Sequence, residues 1–236
     1  MAGKKLLYEA GAKKIYEGDT EDHLIVTFTD QAGLNFGTDK GKIKGKASMN
    51  NTISSQIFEY LESYNVMTCF MSKISEKEMQ IKNCEIVPFN IIISNTADKT
   101  LSKRFGFDEG TILNAPIIEY YYKNDKLKYP MVNESHLTAL GLINQEDIHY
   151  LNRTIPKVNA ILKSYFERRN MLLAALQLTL GKHKGYLMIA DEISPDTCQF
   201  WGIDENNTIK KDMYRLDKGS VDDVYNMIVN QINIGE

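Results

Sequence analysis

The sequence predicts an α+β protein with mainly antiparallel sheets, its two lobes packed into one unit. Three observations predict this. Strand-like and helix-like segments mix without regular strand–helix–strand alternation, strands are joined by short small-residue turns, and no Pro/Gly-rich linker or repeat divides the 236 residues. From the N-terminus, segments 6–9 and 13–17 flank the turn Ala10-Gly11-Ala12. Segment 23–29 follows Gly18-Asp19 and places Leu24, Val26 and Phe28 on one face. A basic stretch from Lys40 to Lys46 then enters a helix on which Ile53, Ile57 and Leu61 recur every fourth residue.

Strands are predicted over 66–72 and 86–93, followed by a polar loop or short helix over 94–110. Segment 112–122 reads as a strand in which Pro116 suits an edge. Pro156 fits the first turn of a helix that carries Val158, Ile161, Leu162 and Tyr165 inward and ends near Asn170. Segments 171–180 and 186–191 flank residues 181–185 as a hairpin. Ser220 with Asp223 suggests a capped terminal helix bearing Val224, Tyr225, Ile228 and Ile232.

Composition narrows the function. Hydrophobic residues at 43% and charged residues at 25% are ordinary globular usage, and a formal charge of -3 supplies no basic field for nucleic acid or an anionic membrane. The longest apolar runs are strand-length, and no signal peptide is read at the start, so a soluble cytoplasmic protein is expected. Cys69, Cys84 and Cys198 fit neither a disulfide frame nor a zinc site, and the four histidines show no metal-ligand spacing.

Three elements are candidates for chemistry. The hairpin tip Ala10-Gly11-Ala12 followed by Lys13 and Lys14 suits the phosphates of a nucleotide, because small side chains let backbone N–H groups approach while an ammonium supplies charge. Asp191, at the end of an apolar strand, suits Mg²⁺ held between phosphate oxygens. The turn Ser194-Pro195-Asp196-Thr197 gathers donors and acceptors. Taken singly, each is equally compatible with an ordinary turn or cap.

In order along the chain, these motifs resemble the SAICAR synthetase family. The carriers are Leu7-Tyr8-Glu9 with Ala12-Lys13-Lys14-Ile15-Tyr16, Gly45-Lys46 with Asn50-Asn51, Leu101-Ser102-Lys103-Arg104, Pro130-Met131-Val132-Asn133-Glu134, Ala190-Asp191-Glu192-Ile193-Ser194-Pro195-Asp196, and Lys211-Asp212 with Tyr214-Arg215. The resemblance implies a cleft binding ATP and Mg²⁺, between a nucleotide-covering lobe over 1–83 and a substrate lobe over 84–236. It implies a carboxylate and an amine, aspartate in the family, as the substrates.

Carried over by position, Gly11, Ala12, Lys13, Ile15, Leu24, Ile81, Lys82, Cys84, Ile86, Gln177, Leu178, Ala190 and Asp191 would hold the nucleotide. Asp191 and Thr179 would hold the metal, and Lys13, Asp191, Lys211 and Arg215 would act in catalysis. Asn50, Asn51, Ser94, Lys99, Thr100, Tyr129, Ser194, Asp196, Gln199 and Arg215 would face the substrate. The aromatic run Tyr120-Tyr121-Tyr122 fits either a homodimer interface or an ordinary sheet edge.

The chain departs from the family pattern where that pattern is charged. Ser94 and Gln199 stand in place of arginines, Asn90 and Thr179 in place of glutamates, Tyr129 and Ala175 in place of acids, and Gln177 in place of a lysine. A phosphate is bound best by fork-like charged donors. The residues therefore favour an ATP-dependent carboxylate–amine ligase acting on a substrate other than the usual purine intermediate. An authentic SAICAR synthetase and a non-catalytic binding or regulatory member are the alternatives.

Overall fold

A computed structural model describes residues 5–31, 41–206, 208–211, 213–214 and 221–233. Alternating apolar side chains near the N-terminus form β1 (Leu6–Ala10), β2 (Lys13–Glu17) and β3 (His23–Phe28), as the period of two predicts. Gly11 occupies the tip of the first hairpin with φ of 59°, a left-handed conformation that a residue without Cβ adopts freely. With β4 (Phe70–Lys73) and β5 (Glu78–Lys82) these strands make an antiparallel sheet in the order β1-β2-β3-β5-β4. Helix α1 (Lys46–Ser63) lies against it, with Ile53, Ile57 and Leu61 buried as their spacing requires.

Sequence periodicity does not predict β5, because a five-residue strand with only Met79 deeply buried leaves little periodic signal. The strand expected over 66–72 begins only at Phe70. Residues 66–69 instead cross towards the second sheet, where Thr68 bridges Ile189 in parallel and the Cys69 N–H donates to the Ile189 carbonyl at 2.8 Å.

The second sheet has seven antiparallel strands: β6 (Glu85–Thr96), β7 (Ile112–Tyr122), β8 (Met131–Val132), β9 (Met171–His183), β10 (Tyr186–Ala190), β11 (Cys198–Ile203) and β12 (Ile209–Lys210). Their order is β12-β11-β9-β6-β7-β8, with β10 paired to the distal half of β9. Lys184 and Gly185, both at positive φ, close the β9–β10 hairpin in the manner of a type I′ turn. Strand β6 extends to Thr96, and α2 (Lys99–Phe105) follows at once because the Asp98 carboxylate caps the Leu101 N–H. Strand β7 is flanked by β6 along its length but by β8 only at Tyr120 and Tyr121, which leaves Pro116 where no partner strand needs its missing N–H. Tyr120 is buried, its ring edge-on to Phe89.

Helix α3 (Glu134–Ala139) starts on a capping box between Asn133 and His136. Helix α4 (Gln145–Glu167) covers one face of the sheet. Pro156 is not in its first turn: the helix begins eleven residues earlier, on a capping box between Asn144 and Asp147. The turn before the proline exposes Asn152 and Arg153, so the carbonyl that loses its helical partner lies beside solvent. Helix α5 (Val221–Asn233) packs on α1, while the predicted cap Ser220 lies outside the described residues.

Period-two alternation gives the large sheet two unlike faces. Phe89, Ile91, Ile93, Leu176 and Leu178 join Leu151, Ile155, Val158, Leu162 and Phe166 of α4 in one core. The opposite face carries Asn90, Ile92 and Ser94 of β6 beside Ala175, Gln177 and Thr179 of β9. Among the described residues, no helix is long and apolar enough to cross a membrane.

Candidate active site

Strand pairing assembles the polar face into rows. Gln199, Ala175, Ser94 and Ile117 lie side by side across β11, β9, β6 and β7. Gln177, Ile92 and Glu119 form the next row, and Thr179, Asn90 and Tyr121 the third. Ser94 and Thr179 are buried and Gln199 is exposed. The Asn90 Oδ1 is buried without a hydrogen-bond partner among the described residues, an acceptor left open on the floor. Beyond the first rows, Arg104 of α2 pairs with Glu119 at 2.7 Å, and the Tyr121 hydroxyl donates to the same carboxylate at 3.0 Å.

Charge concentrates where β10 ends. Lys13, carried inward by β2, forms ion pairs with Asp191 and, at 2.7 Å, with Glu192. Burial alone would lower the Lys13 pKa, but the two carboxylates outweigh it and hold the ammonium above the ordinary lysine value. Burial raises the Glu192 pKa against the opposing charge of Lys13. Glu192 accepts from the Ser194 hydroxyl at 2.6 Å, and the Ser194 Oγ in turn accepts from the Asp196 N–H at 3.1 Å. Asn50 Nδ2 reaches Asp196 at 3.1 Å and Glu192 at 3.4 Å, and Lys46 pairs with Asp196 at 2.5 Å.

The Gly-Lys helix entry and the Ser-Pro-Asp turn, far apart in sequence, therefore build one buried web. Asn51 takes no part in it. Its amide donates to the carbonyls of Ser75, Glu76 and Glu78 and fixes the β4–β5 turn.

The residues carried over for the nucleotide divide into groups. Ile81, Cys84 and Ala190 meet around Cys69 and Met188 in a small apolar cluster. Burial pushes the Cys84 thiol up to about 11. Ile15, Leu24 and Leu178 belong to the main core, Ile86 is exposed, and Lys82 donates to the Thr68 carbonyl at 2.9 Å. Ala12 is buried behind the exposed tip residue Gly11, its carbonyl accepting from Thr29.

Other expected residues stand apart from this constellation. Lys99 and Thr100 are exposed on the first turn of α2, and Tyr129 bonds Asp125 within its own loop. Lys211 donates to the Glu109 carbonyl at 2.8 Å, across Gly110, and Arg215 lies outside the described residues.

Two residues near Asp191 carry no diagnostic sequence signal of their own. Lys123, at the end of β7, has its pKa lowered by burial, with Asp191 working to raise it and Lys13 to lower it. The Tyr8 hydroxyl is pushed up by burial and then by the negative charge of Asp191. Lys123 was invisible because a lone lysine after an aromatic strand has no diagnostic spacing. Tyr8 served only as part of a motif.

The donor set can be tested against Mg²⁺. Among the described residues, no group of three His, Cys, Asp or Glu side chains could hold a metal unaided. Asp191 directly follows Ala190, the residue that pairs with Thr179, so the carboxylate comes one residue after the partner of the hydroxyl. That set fits an ion arriving with nucleotide phosphates, since Mg²⁺ takes few protein oxygens and completes its shell from phosphate and water.

A family model described as SAICAR synthetase matches residues 6–232. The chain is 41% identical over 230 residues to the phosphoribosylaminoimidazole-succinocarboxamide synthase of Clostridium novyi (strain NT), covering 98% of each. Its fold is similar to the crystal structure of the synthase of that name from Ehrlichia chaffeensis, with a TM-score of 0.88, 33% identity, and 97% and 98% of the two chains covered. A SAICAR synthetase in complex with ADP matches with a TM-score of 0.87 and 35% identity, over 97% of this chain and 98% of that one.

Proposed function

The chain belongs to the SAICAR synthetase family and is an ATP-dependent ligase, and from that premise we propose that it joins the amine of L-aspartate to the carboxylate of carboxyaminoimidazole ribonucleotide. In this reading the substrate carboxylate attacks the γ-phosphorus of ATP and releases ADP. The aspartate nitrogen then attacks the acyl carbon, forming the C–N bond as inorganic phosphate leaves and the amine proton passes to solvent. The names of its relatives support this substrate over a different carboxylate.

The observation that carries the reading is the meeting of Lys13 with Asp191 and Glu192 beside the polar sheet floor. ATP would lie under the β1–β2 hairpin with its phosphates towards Lys13, and Lys123 would add a second ammonium. Bound Mg²⁺, held by Asp191 with Thr179 alongside, would neutralise phosphate charge. Cys84, Ile81 and Ala190 would flank the base. Asp196 and Ser194 would orient the substrate, and the two sheets would serve as nucleotide-covering and substrate lobes.

Calorimetric titration with ATP, with and without Mg²⁺, tests the nucleotide half. Saturable binding strengthened by Mg²⁺ and weakened at least about tenfold by Asp191→Ala is expected, the scale of one charge-assisted contact. No binding at millimolar ATP would sink the reading. ADP release that depends on both aspartate and the ribonucleotide tests the rest.

A second reading, a carboxylate without the ribose phosphate, is favoured by one observation. The row Gln199–Ala175–Ser94–Ile117 carries no cation, and the neighbouring Arg104 is engaged by Glu119. Faster turnover of the dephosphorylated riboside than of the ribonucleotide would select this second reading.

A further inference from the structure

Helix α5 reaches the substrate turn through a polar side chain. Tyr225 of α5 is fully buried, and its hydroxyl donates to Asp196 Oδ1. Lys46 and Asn50 both approach the other oxygen, Oδ2, at 2.5 Å and 3.1 Å. The division matters. A carboxylate held only through Oδ2 swings about its terminal torsion, which is broad for aspartate, whereas donors on both oxygens fix its plane. The phenol, which also lies within hydrogen-bond reach of Asn50, supplies the point on Oδ1. Burial, and then the Asp196 charge, raise the Tyr225 pKa, so it remains a donor throughout the working range.

We propose that Tyr225 is a positioning residue for the ligase reaction: its hydroxyl fixes the carboxylate plane of Asp196, so that the C-terminal helix sets the orientation of the substrate Asp196 contacts. The inference rests on the reading that Asp196 faces the acid or amine substrate. Tyr225 itself touches no reacting atom. Among the described residues, Glu192, Ser194 and Asn50 stand between Lys13 and Asp196, so loss of the phenol should leave ATP binding intact.

Tyr225→Phe keeps the ring and removes the donor. We expect kcat/KM for the ribonucleotide to fall about tenfold, the size of one hydrogen bond to a charged group, with the KM for ATP unchanged within about twofold. Combined with Asp196→Asn, the phenylalanine should add little further loss, because both changes break one contact. A readout without turnover is the ¹³Cγ resonance of Asp196, assigned by its loss in Asp196→Asn and expected to shift in Tyr225→Phe. If the wild type turns over neither aspartate nor the ribonucleotide, the functional reading fails and the resonance alone decides the role of Tyr225. An unmoved resonance, additive losses, or a KM for ATP rising in step would overturn the proposal. Should Tyr225→Phe fail to fold, 3-fluorotyrosine at 225 retunes the same bond while preserving shape, and the same shift is required.

Discussion

Two polar regions of the molecule follow opposite electrostatic rules. Where β10 ends, Lys13, Lys46, Asp191, Glu192 and Asp196 share contacts, with Lys46 and Glu192 buried and every charge answered by an opposite one. On the sheet floor, Ser94, Gln177, Thr179 and Gln199 present hydroxyls and amides, and the Arg104 guanidinium is spent on Glu119. Buried charge survives only in closed sets, because removing one member strands another where water cannot reach it. A neutral floor has no such dependence. Single deletions should therefore damage the first region, whereas the second should accept additions.

The largest expected effect is at Lys13. Lys13→Ala leaves Glu192 buried beside Asp191 without a cation, which should cost about 3–5 kcal/mol of stability, the typical result of breaking a buried pair. Thermal unfolding would measure it. A loss below about 1 kcal/mol would mean that water enters the web and the contrast between the two regions is false.

Next comes a control beneath the floor. Asn95 and Asn159 exchange reciprocal amide hydrogen bonds at 2.9 and 2.8 Å, both buried between β6 and α4. Asn159→Ala strands the Asn95 Oδ1 and should cost about 1–3 kcal/mol in urea unfolding. ATP affinity should not change, which separates fold-holding amides from those that face ligand.

Adding charge to the floor sharpens the comparison. Gln199 is exposed on β11, so Gln199→Arg can extend into the cleft without burying an unpaired guanidinium. It should lower the KM for a phosphate-bearing substrate about tenfold and leave a phosphate-free analogue unaffected, a difference steady-state kinetics reads directly. Equal effects on both would deny that this row faces the phosphate.

The smallest effect is a reactivity. With its thiol pushed up to about 11, Cys84 is protonated at neutral pH, so its alkylation should be slow at pH 8 and climb through about pH 11. The linkage has the same sign. The folded pKa lies above the ordinary thiol value, so the contribution of this thiol to stability is complete below that value and is lost as the pH rises through about 11. Protection by ATP would place the thiol in the nucleotide pocket, and its absence would remove Cys84 from that wall.

Much of this was written locally. The period of two in Leu24, Val26 and Phe28, the fourfold spacing of Ile53, Ile57 and Leu61, and the proline that excludes a central strand at 116 each dictate a backbone without outside help. The same holds for the ordered motifs that mark the family, including Lys13 and Asp191. Local signal failed where tertiary contacts outweighed it. The short β5 is held by its neighbours β3 and β4, and the start of α4 was masked because Pro156 resembles a beginning.

Nor could sequence spacing reveal which of two adjacent asparagines would serve the web. Asn50 turns to Glu192 and Asp196 while Asn51 turns to a hairpin, because neighbouring residues on a helix point about 100° apart and only packing decides what each meets. The chain alone thus determined the elements, the family and the chemistry-bearing residue types. Only the tertiary structure decided that Lys13, Lys46, Asn50 and Tyr225, drawn from three distant segments, converge on one acidic turn, since the pairing of buried charges is settled by position in space and not by distance along the chain.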